Sequence, residues 1–210
     1  MQWKKHRQPN RRNQLNQDVN DIEDDLKEFL DDEDIAPIHN KLYFYEDVTP
    51  ASVLRLNRQI DSLTKKLQTL ELQYNVPKTF HIDLFICSDG GDVCASLSAA
   101  DKISKNPVPI DTYCEGMVAS AGTIMSVCGR KRHITENSLM LIHQLSSEYW
   151  GNFEQLKEDM KNNELLMSLI KRIYSKKTKI TDVELDGLLK HDLYFPSELC
   201  LEKGLVDVIL

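Results

Sequence analysis

Ile110-Asp-Thr-Tyr-Cys-Glu-Gly-Met-Val-Ala-Ser-Ala-Gly-Thr-Ile-Met-Ser-Val-Cys128 sets a strand-like segment against a helix-like one across a join of small residues. We read 110–114 as a strand, 123–128 as a helix, and Ser120 as the residue on the tight turn between them, which makes this an α/β unit. A serine in that setting has what a nucleophile needs. Small neighbours admit a carbonyl group, and the unpaired first N–H groups of the helix stabilise developing negative charge. The same residues serve equally well to pack a helix start closely. The motif is a loose relative of G-x-S-x-G in which Val118 replaces the first glycine.

Working outward, further strand and helix pairs surround this unit. Phe80-His-Ile-Asp-Leu-Phe-Ile-Cys87 reads as a strand buried on both faces, and it runs into Ser88-Asp-Gly-Gly91 ahead of a helix over 92–105. The two glycines fit an ordinary βα turn, and they also fit a backbone N–H turned toward a substrate. Upstream, 41–48 is a strand. Thr49-Pro50 then opens a helix whose Leu56, Ile60, Leu63, Leu67, Leu70 and Tyr74 recur every three or four residues until Asn75-Val-Pro77 ends it.

Downstream, 130–133 (Arg-Lys-Arg-His) is a polar break, and Leu139-Met-Leu-Ile142 is a strand ending on His143. Histidines at strand ends are met both in active sites and in satisfied cores. From Asn152 a long helix carries Phe153, Leu156, Met160, Met167, Ile170 and Tyr174 on one stripe, for packing on its own domain or on a partner. A short helix over 181–189, the segment Lys190-His-Asp-Leu-Tyr-Phe195, a turn-like Pro196-Ser197 opening a last helix capped by Gly204, and a strand over 205–210 complete the chain.

Residues 1–40 differ in kind, with six Lys/Arg against ten Asp/Glu. We expect a charged arm, partly disordered, within which Val19, Ile22, Leu26 and Phe29 allow a short acidic helix. The remaining 170 residues suffice for one domain. The net charge of −7 argues against nucleic-acid binding, and no apolar run approaches a membrane span. The basic start lacks the apolar run of a secretory signal. Five cysteines without a C-x-x-C pair read as buried apolar side chains in a reducing compartment rather than as metal ligands. Neither a dinucleotide fingerprint nor a P-loop is present, so no cofactor is expected.

Ser88-Asp-Gly-Gly91, Gly116 to Gly122, Leu141-Ile-His-Gln144, and Asp192-Leu-Tyr-Phe through Glu202-Lys-Gly-Leu-Val-Asp207 together resemble the four signature blocks of ClpP, the proteolytic subunit of the Clp proteases. The resemblance covers 41–210. It implies a crotonase-like superhelix of repeated ββα units with a protruding handle helix, here the helix from Asn152. It implies Ser120 as nucleophile, His143 as general base and acid, Asp192 as the orienting carboxylate, and the backbone N–H groups of Gly90 and Ala121 as oxyanion hole, with no metal. It further implies a serine endopeptidase acting on unfolded polypeptides in homo-oligomeric, seven-membered rings stacked in pairs. A separate Clp-type ATPase unfoldase would feed it, in the cytoplasm or an equivalent reducing compartment of an organelle or infected cell.

Three departures accompany the likeness. Asp89 stands where the family has proline, placing a carboxylate near the oxyanion donors. Leu145-Ser-Ser-Glu-Tyr-Trp150 replaces the proline and glycine-rich strand that lead into the handle, and the apolar N-terminal axial loop has no counterpart in 1–40. A catalytically silent ring subunit or scaffold is the alternative these departures favour. A crotonase-type acyl-CoA enzyme would need no Ser-His-Asp set, and a Ser-Lys pair would have only Lys131 to draw on.

Overall fold

The computed structural model describes residues 40–75 and 80–210. The charged arm expected over 1–40, with the short acidic helix expected within it, lies outside the described residues but for Asn40, as do Val76 and Pro77 of the expected helix stop. Among those described, strand β1 (Lys41–Phe44) leads to helix α1 (Pro50–Gln73), β2 (Ile82–Ser88), α2 (Val93–Lys105), β3 (Ile110–Ala119), α3 (Ala121–Ser126), β4 (Arg132–Ile134) and β5 (Leu139–Leu141). Helices α4 (Phe153–Lys177) and α5 (Asp182–Leu188), strand β6 (Tyr194–Pro196), helix α6 (Ser197–Glu202) and strand β7 (Val208–Ile209) follow. The sheet runs β1-β2-β3-β4-β7, all parallel, with β5 on β3 and β6 antiparallel to β5. This is the expected α/β class.

Local chemistry sets the helix starts. Thr49 closes a reciprocal capping box with Ser52, each side chain accepting from the other's backbone N–H, and Pro50 occupies the first turn, where its missing N–H costs nothing. Asp92 caps α2 by accepting from Ala95 N, and Asn152 caps α4 through Gln155. The α1 stripe is buried at Val53, Leu56, Ile60 and Leu67, but Tyr74, one residue beyond the helix, is exposed.

Strand β3 is longer than its apolar start announces, and it serves two neighbours. Thr112 to Cys114 pair with β4, whereas Met117 to Ala119 pair with β5. Between them the register with β2 slips: Ile86 faces Cys114 but Ser88 faces Val118. Gly116, at φ +63°, lies in this irregularity and takes a conformation costly for a side-chain-bearing residue. The slip turns the end of β3, and Ser120 with it, toward the end of β2.

Several expectations change here. The polar break at 130–133 holds β4, because Arg132 finds its partners within the fold. Arg132 donates from N, Nε and Nη2 to Asp207, and His133 stacks on Tyr113 at 4.3 Å. The segment 190–195, to which the sequence assigns no strand, runs into β6, whose pairing with β5 is made across more than fifty residues of chain and leaves no local signature. The α4 stripe divides: Ile170 and Tyr174 are buried in the domain, while Phe153, Leu156 and Met160 are exposed. Of the cysteines, Cys114, Cys128 and Cys200 are buried, Cys87 is half-buried and Cys94 is exposed, contrary to its reading as a core residue. Burial pushes the Cys114 and Cys200 thiols up to about 12, which keeps them inert.

Candidate active site

Ser120 stands at the junction of β3 and α3 with φ +50° and ψ −121°. A non-glycine residue held there stores about 1–3 kcal/mol of strain, which the surroundings must hold in place. They do so from both sides: Ser120 N donates to Leu141 O at 2.8 Å, and Ser120 O accepts from Thr123 N at 3.0 Å. The side chain caps no helix N–H, so its hydroxyl is left for other work.

Gly90 packs directly behind it. A Cβ on Gly90 would lie 2.7 Å from Ser120 Cβ and 3.1 Å from Ala121 N, and its φ of +103° is itself a glycine conformation. Gly91 is as constrained, since a Cβ there would sit 2.3 Å from Val48 O. The Ser88-Asp-Gly-Gly91 turn is therefore built for close approach of three backbone segments. The Gly90 N–H donates to Ser88 Oγ at 3.2 Å. Ala121, as the first residue of α3, has an N–H with no partner one turn back.

His143 follows β5, and the β5–β6 register decides what it meets. Leu141 pairs with Tyr194, and continuing the antiparallel register two residues sets His143 against Asp192. His143 Nδ1 lies 3.2 Å from Asp192 Oδ1. The imidazole is 23% exposed and the carboxylate 77% exposed, so their attraction is largely screened and the contact chiefly orients the ring. Gln144 N donates to Leu189 O at 2.7 Å, tying the chain after His143 to the end of α5.

Ser120, Ala121 and His143 line one cleft of about 300 Å³. Its apolar wall is Ile124 from α3 with Leu166, Ile170 and Tyr174 from α4, and its other side is Leu145, Ser146 and Ser147. The wall residues carry no chemical motif and escape sequence reasoning, although the helical stripe through Ile170 and Tyr174 marks the face they share. Asp89 is exposed and does not line the cleft. A second titratable group, His81 with Asp83 and Asp111, lies near Arg130, whose guanidinium takes both Asp111 oxygens. Partial burial acts to raise the Asp111 pKa, but Arg130 outweighs it and holds the carboxyl below its usual range.

A crotonase-like α/β frame that sets a strained serine and a carboxylate-paired histidine in one cleft has the arrangement that a serine hydrolase requires. The family model described as Clp protease matches residues 40–210, and the chain belongs to that family. The chain is 30% identical over 131 residues to the "ATP-dependent Clp protease proteolytic subunit" of Deinococcus radiodurans, a match covering 61% of this chain and 64% of that relative. It is also 30% identical over 151 residues to the subunit of the same description from Cyanophora paradoxa, covering 71% and 76% respectively. The chain thus spans just under two thirds of the bacterial relative. No helix among the described residues is long and apolar enough to cross a membrane.

Proposed function

We propose that this protein is a serine endopeptidase that hydrolyses unfolded polypeptide through an acyl-enzyme, with Ser120, His143 and Asp192 as its triad. The observation that carries the proposal is the 3.2 Å approach of His143 Nδ1 to Asp192 at the edge of the cleft that Ser120 lines. With Nδ1–H held by Asp192, Nε2 is the basic nitrogen. It takes the Ser120 Oγ proton as Oγ bonds to the substrate carbonyl carbon, then delivers that proton to the amine as the C–N bond breaks. Water, deprotonated by the same nitrogen, then bonds to the acyl carbon, and the proton passes to Ser120 Oγ as the ester C–O bond breaks.

The carbonyl oxygen of the tetrahedral intermediate is stabilised by the N–H groups of Ala121 and Gly90, the latter exchanging its long bond to Ser88 Oγ for the oxyanion. One such donor is typically worth about 3–4 kcal/mol of transition-state stabilisation. The exposed apolar half of α4 supports assembly through that helix, with stacked heptameric rings as the proposed form. The relatives' description as subunits of an ATP-dependent protease supports a separate ATPase that supplies unfolded chains.

Labelling with a fluorophosphonate, together with native mass measurement, tests this reading. Modification of Ser120 in an assembled particle that cleaves fluorogenic peptides is the expected result. The bonded Gly90 N–H and the exposed Asp192 favour one other reading, a silent ring subunit. An assembled particle that leaves Ser120 unlabelled, beside a reactive control protease, would establish that alternative and sink the peptidase.

A further inference from the structure

Thr123 and Tyr174 have no part in the triad, yet they form a buried hydrogen-bonded chain that ends on it. Thr123 Oγ1 lies 2.6 Å from Ser120 O and 2.5 Å from Tyr174 Oη. Both residues are buried, Thr123 fully and Tyr174 to within 2%. Donor and acceptor roles follow from proton count. A carbonyl oxygen can only accept, so the single Thr123 hydroxyl proton goes to Ser120 O, and Thr123 Oγ1 must accept from the Tyr174 hydroxyl. Burial raises the Tyr174 phenol well above its ordinary value, so it stays protonated and remains a donor at any working pH.

The end point of this chain matters because of peptide geometry. Ser120 C=O and Ala121 N–H belong to one planar trans unit and point in opposite directions. Anchoring the oxygen therefore aims the N–H. Thr123 N supplies one anchor at 3.0 Å, and the Thr123 hydroxyl, itself held by Tyr174, supplies a second on the same oxygen. Ser120 needs that double hold, since φ +50° is not a conformation it would keep by itself.

We infer that Tyr174 and Thr123 form a positioning relay that fixes the Ser120–Ala121 peptide plane and so aims the Ala121 N–H at the oxyanion. The inference rests on the serine-peptidase reading. It assigns to α4 a role in catalysis apart from its packing and from its exposed half. An oxyanion donor that is misaimed rather than removed loses part of the 10²–10³-fold that complete removal costs.

The test compares Tyr174→Phe, Thr123→Val and Thr123→Ser in the assembled full chain. Tyr174→Phe keeps the ring in the core and removes only the hydroxyl. It should lower kcat for a fluorogenic peptide about 10-fold with KM within about twofold, and slow fluorophosphonate labelling of Ser120 by the same factor. Inhibition by a peptide boronate, whose tetrahedral adduct places an oxygen at the oxyanion position, should weaken in parallel, a response that general loosening of the core would not single out. Thr123→Val should equal or exceed the Tyr174→Phe loss, the double variant should be no worse than Thr123→Val, and Thr123→Ser should restore activity. Wild-type kcat and boronate affinity in Tyr174→Phe would overturn the relay while leaving the peptidase intact, as would losses that multiply in the double variant. A wild-type particle that the fluorophosphonate does not label would remove both readings.

Discussion

Two aspartates near the end of the chain, Asp192 and Asp207, each meet a basic side chain, and they do so in opposite ways. Asp207 receives three hydrogen bonds from Arg132, at 2.9, 3.0 and 2.6 Å, locking β4 to the segment entering β7. Arg132 is simultaneously bound to Gly204 O at 2.8 Å and to Lys177 O, so one guanidinium gathers three segments. Asp192 contacts His143 at 3.2 Å and is otherwise open, 77% exposed. Saturated geometry makes Asp207 a latch of the fold. The single, screened contact fits Asp192 to the orienting role proposed for it rather than to a structural one.

The contrast can be broken at several points. The largest effect is expected at the proposed nucleophile and at the imidazole that Asp192 contacts: Ser120→Ala and His143→Ala should each lower peptide cleavage by at least about 10⁴-fold without loss of assembly, read by kcat and native mass. Disassembly of either variant would give these residues to the fold. Gly90→Ala comes next. It forces a Cβ to within 2.7 Å of Ser120 Cβ, and it should cost both about 10²-fold in kcat and several degrees in Tm. Asp192→Asn should lose about 10- to 100-fold in kcat with Tm unchanged, less than a fully buried triad aspartate would, because solvent already screens the contact. A drop in Tm with activity retained would reverse its assignment.

Asp207→Asn should show the mirror image, kcat within about twofold and Tm lower by about 3–6 °C, measured on the same samples. Its pH dependence sharpens the comparison. The Arg132 hydrogen bonds lead in holding the Asp207 carboxyl below its ordinary 3.8, against partial burial that acts to raise it. A depressed folded-state pKa contributes stability that is present above pH 3.8 and lost as pH falls through the lower folded value. Wild-type stability should therefore fall between pH 3.8 and the lower folded value, and Asp207→Asn should lack that fall. Wild-type acid unfolding that the substitution leaves unchanged would remove the latch from the energetics of the fold.

Legibility in the sequence followed the range of the interaction that made each feature. The serine turn was readable because small residues, strand-like and helix-like flanks and a glycine at 122 all lie within one short stretch, and the same holds for the glycine pair at 90–91. Helix starts at Thr49, Asp92 and Asn152 were equally local, each a side chain reaching its own backbone three residues on. Strands β4 and β6 were not readable. Arg132 is polar by composition and becomes strand material only because Asp207, far along the chain, receives its guanidinium. The division of the α4 stripe was also hidden, since Phe153 and Tyr174 belong to one helical stripe and differ chiefly in what the rest of the domain places against them.

Sequence by itself determined the α/β order, the capped helix starts and the residue types of the candidate site, because propensity, capping and glycine geometry act over a few neighbouring residues. Tertiary structure alone decided that β3 forks to two partners, that the β5–β6 register sets His143 against Asp192, and that Tyr174 reaches Thr123 behind the serine. These are pairings between segments distant along the chain, where the energy comes from mutual burial and hydrogen bonding that neither segment encodes separately.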